Sequence, residues 1–398
     1  MAKLIDITGK ALSGEWGTDD ETGDGIPVLR TTNFTNEGIV NYNDVVTRTI
    51  TKKNIDDKFL RKGDIIIEKS GGSDKFPVGR VIYFDGEEKT YLFNNFTGLL
   101  RVKEQDVWYP RYVFYSLYAN YKRGGTRAFE NKTTGLHNLK TDDYVSRYEV
   151  AEIDKTEQIS ICEKLDKLYG IIKSRERELQ LLNDLIKARF VELFGNPVSN
   201  PKGWERVTVD ECVDSIDNGK SFVCDSMARI GEEPAILKLS AATYGVYKPE
   251  ENKAIINGSD FIKGAEVHSG DLLFTRKNTP ELVGMAAYVF TTPKKLMMPD
   301  LIFRINTKQN CRKIYLWKLI NHELFRSQIQ SLASGSAKSM SNISKERLGK
   351  LHICLPPLDL QIEFEEFVIQ INKSKVAVQK ALDEAQLLFD SLMQEYFG

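Results

Sequence analysis

The sequence predicts an α+β protein in which two mixed α/β globules are joined by two long helices packed as an antiparallel coiled coil, with a pseudo-two-fold internal repeat. Two observations predict this fold. A long helical segment occurs twice in the 398-residue chain, and each copy has the apolar period of a coiled coil. Each copy also follows a segment of short strand-like runs, which indicates a globule of mixed secondary structure before each helix.

The repeated helical segments are residues 158–195 and 361–398, which lie 203 positions apart. Both begin with Gln-Ile, at Gln158 and Gln361, and both end with Glu-x-Phe-Gly. Apolar residues in each copy alternate steps of four and three, which places them on one face of a helix. The predicted helix–helix seam comprises Ile161, Leu165, Leu168, Ile172, Leu179, Leu182, Ile186 and Leu193 in the first copy, and Phe364, Val368, Ile371, Val378, Leu382, Phe389 and Leu392 in the second.

The segments before the two helices correspond more loosely. Gly63-Asp64-Ile65-Ile66 matches Gly270-Asp271-Leu272-Leu273, which lies 207 positions later. Short β-branched or aromatic runs predict strands, and longer amphipathic runs predict helices. The strand runs are 65–67, 81–84 and 287–290, and the helical runs are 112–121 and 313–332.

These patterns divide the chain into four predicted parts. The first globule covers residues 1–153, the central long helix 154–196, the second globule 197–357 and the C-terminal long helix 358–398. The stretch from Asn196 to Gly203 contains two prolines, which stop the first helix and link it to the second globule.

Composition excludes several classes of protein. The chain is 41% hydrophobic and 28% charged, which is typical of a folded globular chain. No run approaches the ~18 apolar residues of a membrane span, and the N-terminus lacks a signal-peptide core. The five cysteines are scattered without a Cys-x-x-Cys pair, which favours reduced thiols and a cytoplasmic location.

Charge is distributed unevenly between the helical segments and the rest of the chain. Residues 358–398 contain eight acidic and three basic residues, whereas residues 154–195 contain eight of each. The remaining chain is therefore slightly basic, because the whole chain has a net charge of −1. This distribution favours a polyanionic partner for the globules and protein partners for the helices.

No catalytic motif is complete. Asn218-Gly219-Lys220-Ser221 matches the end of a phosphate-binding loop, but Asp214 stands where the leading glycine is required. Asp64 and the neighbours Glu68 and Lys69 are similar to a metal-dependent nuclease motif, yet adjacent strand residues point to opposite faces and cannot converge. The four histidines have no metal-ligand spacing. The sequence therefore predicts no catalytic residues and no metal site on this chain.

The order of globule, helix, globule and helix resembles the DNA-specificity subunit of a type I restriction-modification enzyme. The matching features are the two Gly-Asp motifs, the starts of the two helices at 153–158 and 356–361, and the Phe-Gly ends. The resemblance covers essentially the whole chain. One difference is that the first helix lacks the Pro356-Pro357 pair that precedes the second, which affects only the position of its boundary.

The resemblance implies that each globule is a target-recognition domain that reads one half of a bipartite, asymmetric double-stranded DNA target. It also implies that the helices set the spacing and dock two modification (methyltransferase) subunits, and that restriction (motor-nuclease) subunits join for host defence. The chain itself would be non-catalytic and hold no cofactor. S-adenosylmethionine, ATP and magnesium would belong to the partner subunits, which carry out DNA methylation and cleavage.

The predicted helix length agrees with such a spacer. A helix of 38 residues is about 57 Å long, whereas one turn of DNA is about 34 Å. Two readers joined by such a rod can engage successive major-groove faces and leave an unread gap between them. Rigidity matters because linking two weak readers helps only if both engage together.

The candidate DNA-binding residues are basic, amide and small hydroxyl side chains in predicted loops, since these groups bind phosphates and base edges. In the first globule they are Arg30, Thr31, Thr32, Asn33, Lys69, Ser70, Ser73, Lys75, Arg123, Arg127, Asn131 and Lys132. In the second they are Lys238, Ser240, Thr243, Tyr244, Arg276, Lys277, Asn278, Thr279, Ser336, Lys338 and Ser339.

Two other functions stay open at the level of sequence. One is a self-sufficient DNA-acting enzyme, such as a nuclease, and cleavage of DNA by the purified chain with magnesium would favour it. The other is a coiled-coil scaffold for proteins only. Unchanged DNA binding after replacement of Arg30, Lys69, Arg276 and Lys277 by alanine would favour the scaffold.

Overall fold

The computed structural model describes residues 1–133, 136–334 and 340–398. The chain divides into two compact units, and each contains half of both long helices. Unit 1 comprises Met1–Glu176 and Lys380–Gly398, and unit 2 comprises Arg177–Gln379.

The first half of the chain forms four helices and thirteen strands in the residues that the structure describes. The helices are α1 (Leu4–Thr8), α2 (Pro110–Lys122), α3 (Thr141–Arg147) and α4 (Lys155–Phe194). The strands are β1 (Ala2–Lys3), β2 (Leu12–Ser13), β3 (Thr18–Asp19), β4 (Ile26–Leu29), β5 (Val46–Thr49), β6 (Ile65–Glu68), β7 (Ser70–Gly72), β8 (Val81–Tyr83), β9 (Leu92–Phe93), β10 (Thr97–Leu100), β11 (Glu130–Thr133), β12 (Leu136–Leu139) and β13 (Glu149–Val150).

The second half repeats this order with some elements changed. Its helices are α5 (Val209–Cys212), α6 (Lys313–Ile320), α7 (Arg326–Ser331), α8 (Lys345–Gly349) and α9 (Leu358–Phe397). Its strands are β14 (Glu205–Thr208), β15 (Val213–Asn218), β16 (Ala235–Leu237), β17 (Asn252–Ala254), β18 (Leu272–Thr275), β19 (Lys277–Asn278), β20 (Ala286–Tyr288), β21 (Leu296–Met297), β22 (Ile302–Thr307), β23 (Ser341–Asn342) and β24 (His352–Leu355).

Unit 1 is built on an antiparallel sheet in the order β2-β10-β6-β8. Its central strand β6 is covered on both faces. Ile65 and Ile67 share a core with Tyr112 of α2, while Ile66 packs in a second core with Phe93 of β9. Both faces are therefore apolar, which explains why β6 reads as a continuous apolar run rather than an alternating one.

Unit 2 has the corresponding sheet, in the order β15-β22-β18-β20. Leu272 and Phe274 of β18 share a core with α6, and Leu273 faces a separate core that includes Leu296 of β21. In each unit a further sheet contains one parallel pair, β4 with β9 and β16 with β21. These parallel pairs place the ends of distant strands at the same edge.

The two Gly-Asp motifs form the turns that begin β6 and β18. Gly63 and Gly270 have φ angles of +93° and +88°, which favour glycine. Asp64 is buried and accepts hydrogen bonds from Arg101 Nε and Nη2 at 2.7 and 2.6 Å. Asp271 forms an ion pair with Arg304, whose Nε lies 2.9 Å from its carboxylate. Both motifs thus fix a turn and a shielded ion pair.

A buried glutamine joins each long helix to its globule. Gln158, near the start of α4, accepts a hydrogen bond from Tyr109 N at 2.8 Å and donates to the carbonyls of Val107 and Ile153. Gln361, at the same place in α9, accepts from Arg312 N at 2.8 Å and donates to two carbonyls, those of Asn310 and Pro356. Tyr109 and Arg312 precede α2 and α6, so each glutamine satisfies an otherwise free N–H at a helix start.

The Phe-Gly motif at the end of each long helix packs against an aromatic residue of a globule. In unit 1, the ring of Phe397 lies 5.2 Å from that of Tyr112. In unit 2, the ring of Phe194 lies 4.9 Å from that of Tyr315, and Trp204 Nε1 donates to the Phe194 carbonyl. Tyr112 and Tyr315 are 203 positions apart, so the second half of the repeat reproduces the same aromatic contact.

The predicted seam residues are buried or half-buried throughout both helices. In unit 1, Ile161 and Leu165 of α4 share a core with Phe389 of α9. In unit 2, Ile186 of α4 shares a core with Phe364 of α9. Phe190, Phe194, Met393 and Phe397, which the seam prediction omitted, are also buried. Phe190 and Phe194 pack on Tyr315 of the globule and on Phe364 of α9.

Polar side chains also join the two helices within unit 2. Lys375 Nζ donates a hydrogen bond to Asn183 Oδ1 at 2.7 Å, and Arg189 forms an ion pair with Glu363. The guanidinium of Arg189 also lies 5.9 Å from the ring of Phe367. In these contacts, the charged ends of long side chains interact at the edge of the apolar seam.

One predicted helix differs from the structure. The run 313–332 was predicted as a single helix and this is wrong, because α6 ends at Ile320 and α7 begins at Arg326. Asn321 interrupts the helix by binding a neighbouring strand. Its amide accepts from Ala286 N at 3.0 Å and donates to Ala286 O at 2.7 Å. None of the helices in the described ranges is long and apolar enough to cross a membrane.

We expect replacement of either glutamine, in Gln158→Ala or Gln361→Ala, to lower the free energy of unfolding by about 1–3 kcal/mol. Each change leaves buried N–H and C=O groups without partners. Urea unfolding of the full chain measures this effect. Gln370→Ala is the matched control, since Gln370 is exposed on α9 and its loss should change stability by less than about 0.5 kcal/mol. Equal effects at the buried and exposed positions would contradict the proposed anchoring.

Candidate nucleic-acid interface

Several loops of unit 1 converge at one edge of its sheets. Strands β4 and β9 run parallel, so the chain leaves both at the same edge, at Arg30 and Asn94. Strand β6 ends beside the start of β10, which places Lys69 next to Phe96. Two backbone hydrogen bonds fix this arrangement, from Asn94 N to Leu29 O at 2.9 Å and from Lys69 N to Phe96 O at 2.8 Å. We call these loops the unit 1 edge.

The turn at residues 94–96 projects from this edge. Asn94 is buried, whereas Asn95 is exposed and Phe96 is 54% exposed. Lys69 Nζ donates to Ser13 Oγ at 3.2 Å, which holds the lysine stem beside the turn. The edge therefore presents an amide, an aromatic ring and a cation close together. These are the groups that bind base edges, thymine methyls and phosphates.

Unit 2 has a corresponding edge. Strands β16 and β21 run parallel, and the chain leaves them at Lys238 and Met298. Arg276 follows β18 and donates its backbone N–H to Leu301 O at 3.0 Å, as Lys69 does to Phe96. Lys220 N donates to Met298 O at 3.1 Å, which brings the loop after β15 to the same place. We call these loops the unit 2 edge.

A glycine supports each edge where no side chain fits. A Cβ atom on Gly14 would lie 2.1 Å from Phe93 O, and one on Gly219 would lie 2.1 Å from Pro299 O. Both contacts are with main-chain oxygens, which cannot move aside without displacing the turn. Gly219 belongs to the sequence that resembled a phosphate-binding loop, and its role here is close packing against the turn at residues 298–300.

A second loop of unit 1 carries further candidate residues. Ser73 and Phe76 close a turn through two mutual hydrogen bonds, of 2.7 and 3.2 Å. Arg127 Nη2 donates to the carbonyls of Asp74 and Lys75, and this holds the turn against the rest of the unit. Phe76 is 55% exposed at its tip. The turn thus displays an aromatic ring beside a lysine on a well-supported backbone.

Burial changes the ionisation of groups at the unit 1 edge. Desolvation lowers the pKa of Lys69, and Asp142 partly opposes this effect. Desolvation raises the pKa of the buried Glu68 carboxyl, while Arg80, 3.3 Å away, favours its charged form. The cation of Lys69 is thus only partly hydrated, which strengthens its attraction for an approaching anion.

Exposure separates the candidate residues into three groups. Exposed are Thr32, Ser73, Lys75, Arg123, Arg127, Asn131, Tyr244 and Thr279. Half-buried are Arg30, Thr31, Lys69, Ser70, Lys238, Ser240, Arg276 and Lys277. Buried are Asn33, Thr243 and Asn278. The side chain of Lys132 and the residues Ser336, Lys338 and Ser339 lie outside the described residues.

The buried candidates use their polar atoms inside the protein. Asn33 accepts from Arg30 N at 2.9 Å and donates to the carbonyls of Asn41 and Asp44, so it fixes the loop after β4. Asn278 donates to Thr243 Oγ1 at 3.1 Å, and Thr243 donates in turn to a backbone carbonyl. These three side chains shape the loops and present no free hydrogen-bonding group to a ligand.

Several half-buried candidates have acidic partners. Arg30 pairs with Asp44 at 3.0 Å, and Ser240 donates to Glu251 at 2.7 Å. Lys277 lies 3.9 Å from Asp300. Solvent-exposed pairs of this kind contribute little to stability, so a phosphate can compete for the cations.

The structure adds residues that the sequence reasoning missed. Asn95 and Phe96 belong to the unit 1 edge, and Lys220 and Asp300 to the unit 2 edge. The available signal for the first pair was the polar Asn94-Asn95 between two apolar strand runs. It could not be assigned to a site, because the parallel pairing of β4 with β9 is a long-range feature.

The acidic residues that resembled a nuclease motif serve internal pairs. Asp64 binds Arg101 and Glu68 binds Arg80, and both carboxylates are buried. Within the described ranges, no three histidine, cysteine or acidic side chains lie close enough together to hold a metal ion.

Comparison with known proteins gives a consistent result. Residues 201–385 match the family model of the type I restriction modification DNA specificity domain. The type I restriction enzyme EcoEI specificity subunit of Escherichia coli is 30% identical over 202 residues, which cover 49% of this chain and 34% of that subunit. The match therefore spans about a third of the length of this curated relative.

Solved structures share the fold over the whole chain. The type I restriction-modification S subunit from M. genitalium has a TM-score of 0.61 at 14% identity, covering 100% of this chain and 95% of that one. A chain from a structure on complex assembly and conformational transition of the type I R-M system has a TM-score of 0.53 at 14% identity, covering 100% and 96%. Together with the sequence matches, these findings confirm the resemblance to type I specificity subunits.

We expect Gly219→Ala to lower the free energy of unfolding by about 1–3 kcal/mol, because the new methyl group would overlap the Pro299 carbonyl. Chemical unfolding of the full chain measures the change. Gly258→Ala in the same unit is the control, since nothing lies within 4 Å of a Cβ built there. A Gly219→Ala chain as stable as this control would show that the turn at 298–300 is not held by close packing.

Proposed function

We propose that this chain, which resembles the DNA-specificity subunits of type I restriction-modification enzymes, is such a subunit and that each unit reads one half of a bipartite, asymmetric DNA target. One observation carries the proposal. Both units present an edge built by the same strand pairing and supported by an equivalent glycine, yet the side chains on the two edges differ. A duplicated scaffold with different side chains suits the reading of two unlike half-sites.

On each edge, the basic residues would contact phosphates and the other exposed residues would lie near the bases. In unit 1, Lys69, Lys75 and Arg127 would contact phosphates, while Asn95 and Phe96 would face the bases. In unit 2, Lys220, Lys238, Arg276 and Lys277 would contact phosphates, with Tyr244 and Thr279 exposed beside them. Phosphate contacts position a protein on the duplex, and contacts with base edges specify the sequence.

The long helices would form an antiparallel coiled coil that spaces the two readers. The cores of the two units support an antiparallel arrangement. In unit 1 the first half of α4 packs with the last half of α9. In unit 2 the last half of α4 packs with the first half of α9. A helix of 40 residues is about 60 Å long, which exceeds one turn of DNA. The spacing would leave bases unread between the two half-sites.

The chemistry would reside on partner subunits. Two methyltransferase subunits would dock on the helices and use S-adenosylmethionine, and motor-nuclease subunits would add ATP- and magnesium-dependent restriction. The carboxylates of this chain that resemble a nuclease motif are engaged with arginines, which supports a non-catalytic role. Such a complex would act on cellular DNA and so would be cytoplasmic.

Sequencing of methylated bases in the host genome tests the function directly. We expect one bipartite motif that requires this chain together with its methyltransferase subunits. Replacing the turn 94–96 with its unit 2 counterpart, residues 298–301, should change only one half of that motif. Absence of any sequence-specific methylation by the reconstituted complex, or a change in both halves, would contradict the proposal.

The salt dependence of DNA binding tests the phosphate contacts. We expect the double variant Lys69→Ala and Lys75→Ala to bind all duplexes more weakly and to reduce the slope of log K against log[salt] by about 2, since each phosphate contact contributes roughly 0.9. Fluorescence anisotropy with the assembled complex measures both quantities. Lys350→Ala is the control, because Lys350 is exposed and pairs with Glu346 on α8. Equal slopes for the double variant and the control would place these lysines away from DNA.

A further inference from the structure

A basic cavity lies in unit 1 at the end of its main sheet that is opposite to the unit 1 edge. It has a volume of about 820 Å³. The turn before β6 lines it with Arg61 and Lys62, the segment after β10 lines it with residues 101–103, and a loop within residues 8–12 completes it. Because β6 and β10 each span four residues, they separate this cavity from the turn at 94–96 by about 13 Å.

The cavity carries a surplus of positive charge. Two acidic residues, Asp64 and Asp106, line it together with five basic ones, which leaves an excess of three positive charges. Arg101 binds Asp64 through two nitrogens, at 2.7 and 2.6 Å. It also donates to the carbonyls of Asp57 and Phe59, so this ion pair is fixed in position. The five basic residues are Lys10, Arg61, Lys62, Arg101 and Lys103.

The other four cations are available to a ligand. Lys10, Arg61, Lys62 and Lys103 are exposed. Within the described ranges, no carboxylate forms an ion pair with any of them. The ammonium of Lys103 lies beside the backbone of the cavity, since a Cβ atom built on Gly9 would be 2.7 Å from its Nζ. An anion that enters the cavity therefore meets four cations without displacing an acidic partner.

The backbone around this cavity recurs in unit 2. Lys103 donates its backbone N–H to Ile7 O at 3.0 Å, as Lys308 does to Cys212 O at 2.8 Å. In both units, the residue three positions before the aspartate of the Gly-Asp motif donates its backbone N–H to that carboxylate, at 2.8 and 2.9 Å. These contacts and the matching strand registers align the two units across the cavity.

The basic side chains do not recur with the backbone. At four of the five aligned positions unit 2 has no lysine or arginine, and the residues there are Ser215, His268, Ser269 and Asn306. The fifth, Lys308, is bound internally, because its Nζ donates to Asp210 O at 2.8 Å. The same backbone thus folds without a cluster of free cations. Folding therefore does not account for the cluster in unit 1, whereas binding of an anion does.

The composition of the cavity favours phosphate groups as ligands. Lysine and arginine bind phosphate oxygens through charge-assisted hydrogen bonds. None of the described residues that line the cavity is aromatic, so a nucleobase has no ring on which to stack. One phosphate group carries a charge of about −1.5 to −2 at pH 7, so the surplus of positive charge matches two or three linked phosphates better than one. The volume is within the range of small-molecule sites.

We propose that this cavity binds a chain of linked phosphates, either as free inorganic polyphosphate or as the phosphate tail of a nucleoside triphosphate. Lys10, Arg61, Lys62 and Lys103 contact the phosphate oxygens. The inference goes beyond the proposed function, because the cavity shares no residue with the unit 1 edge and lies at the other end of the sheet. DNA bound at that edge leaves the cavity open.

Calorimetric titration of the full chain with inorganic triphosphate tests the proposal. We expect one site per chain, with an affinity that falls as salt rises, because exposed charges are screened. The double variant Lys62→Gln and Lys103→Gln should bind triphosphate about tenfold more weakly, since it loses charged hydrogen bonds. Its thermal midpoint without ligand should equal that of the wild type, because both side chains are exposed. Wild-type affinity in this variant would overturn the proposal.

The matched control is the double variant Lys140→Gln and Lys167→Gln, which removes two exposed lysines of unit 1 outside this cavity. It should retain wild-type affinity, and an equal loss in the control would overturn the site by showing that only net charge matters. Titration with ATP distinguishes the two sources of the ligand. Equal affinities for ATP and triphosphate would support recognition of the phosphates alone, and tighter binding of ATP would support a nucleotide ligand.

Competition with DNA separates this site from the loop edges. Saturating duplex DNA at constant ionic strength should leave the affinity for triphosphate unchanged. Displacement of triphosphate by DNA would overturn the proposal, because the cavity would then belong to the DNA interface. Absence of triphosphate binding by the wild-type chain would overturn it while leaving the proposed function intact. Triphosphate binding by a chain that binds no DNA would support the cavity and contradict the proposed function.

Discussion

The architecture depends on a buried glutamine at the start of each long helix. Gln158 and Gln361 each use one carbonyl and one amide group to satisfy three backbone groups of the adjoining globule. Both side chains are completely buried, so water cannot replace these hydrogen bonds. The direction in which each helix leaves its globule is therefore fixed by a few short hydrogen bonds rather than by the apolar seam alone.

The internal repeat extends from these anchors to the loop edges. The same ion pair, the same parallel strand pair and the same closely packed glycine recur in both units. Residues that build the scaffold correspond between the units, while those at the tips do not. The three residues 94–96 between β9 and β10 of unit 1 stand where the four residues 298–301 stand between β21 and β22 of unit 2. Folding thus depends on the backbone and the buried groups, which the two units share. Recognition would depend on the exposed side chains, which differ between the units.

Local patterns were sufficient to predict the helices but not the site. The 3.5-residue period identified α4 and α9, because a helix that buries one face has apolar residues at regular helical spacing. The break at Asn321 was missed, since its cause is a hydrogen bond to the distant Ala286. Asn33, Thr243 and Asn278 had the polarity of loop residues, yet all three are buried. Phe96 was overlooked because its neighbours at the edge are fixed by strand pairing between remote segments.

The glycine beneath each turn has a consequence for how such a protein can diversify. The turns at 94–96 and 298–300 are positioned through main-chain oxygens and a glycine, so their geometry owes little to the identity of the exposed side chains. Substitutions at the exposed Asn95 or Phe96 can therefore accumulate without unfolding the chain. New recognition can arise by a few point changes in one unit while the other keeps its preference, which makes the two halves independent modules for evolution.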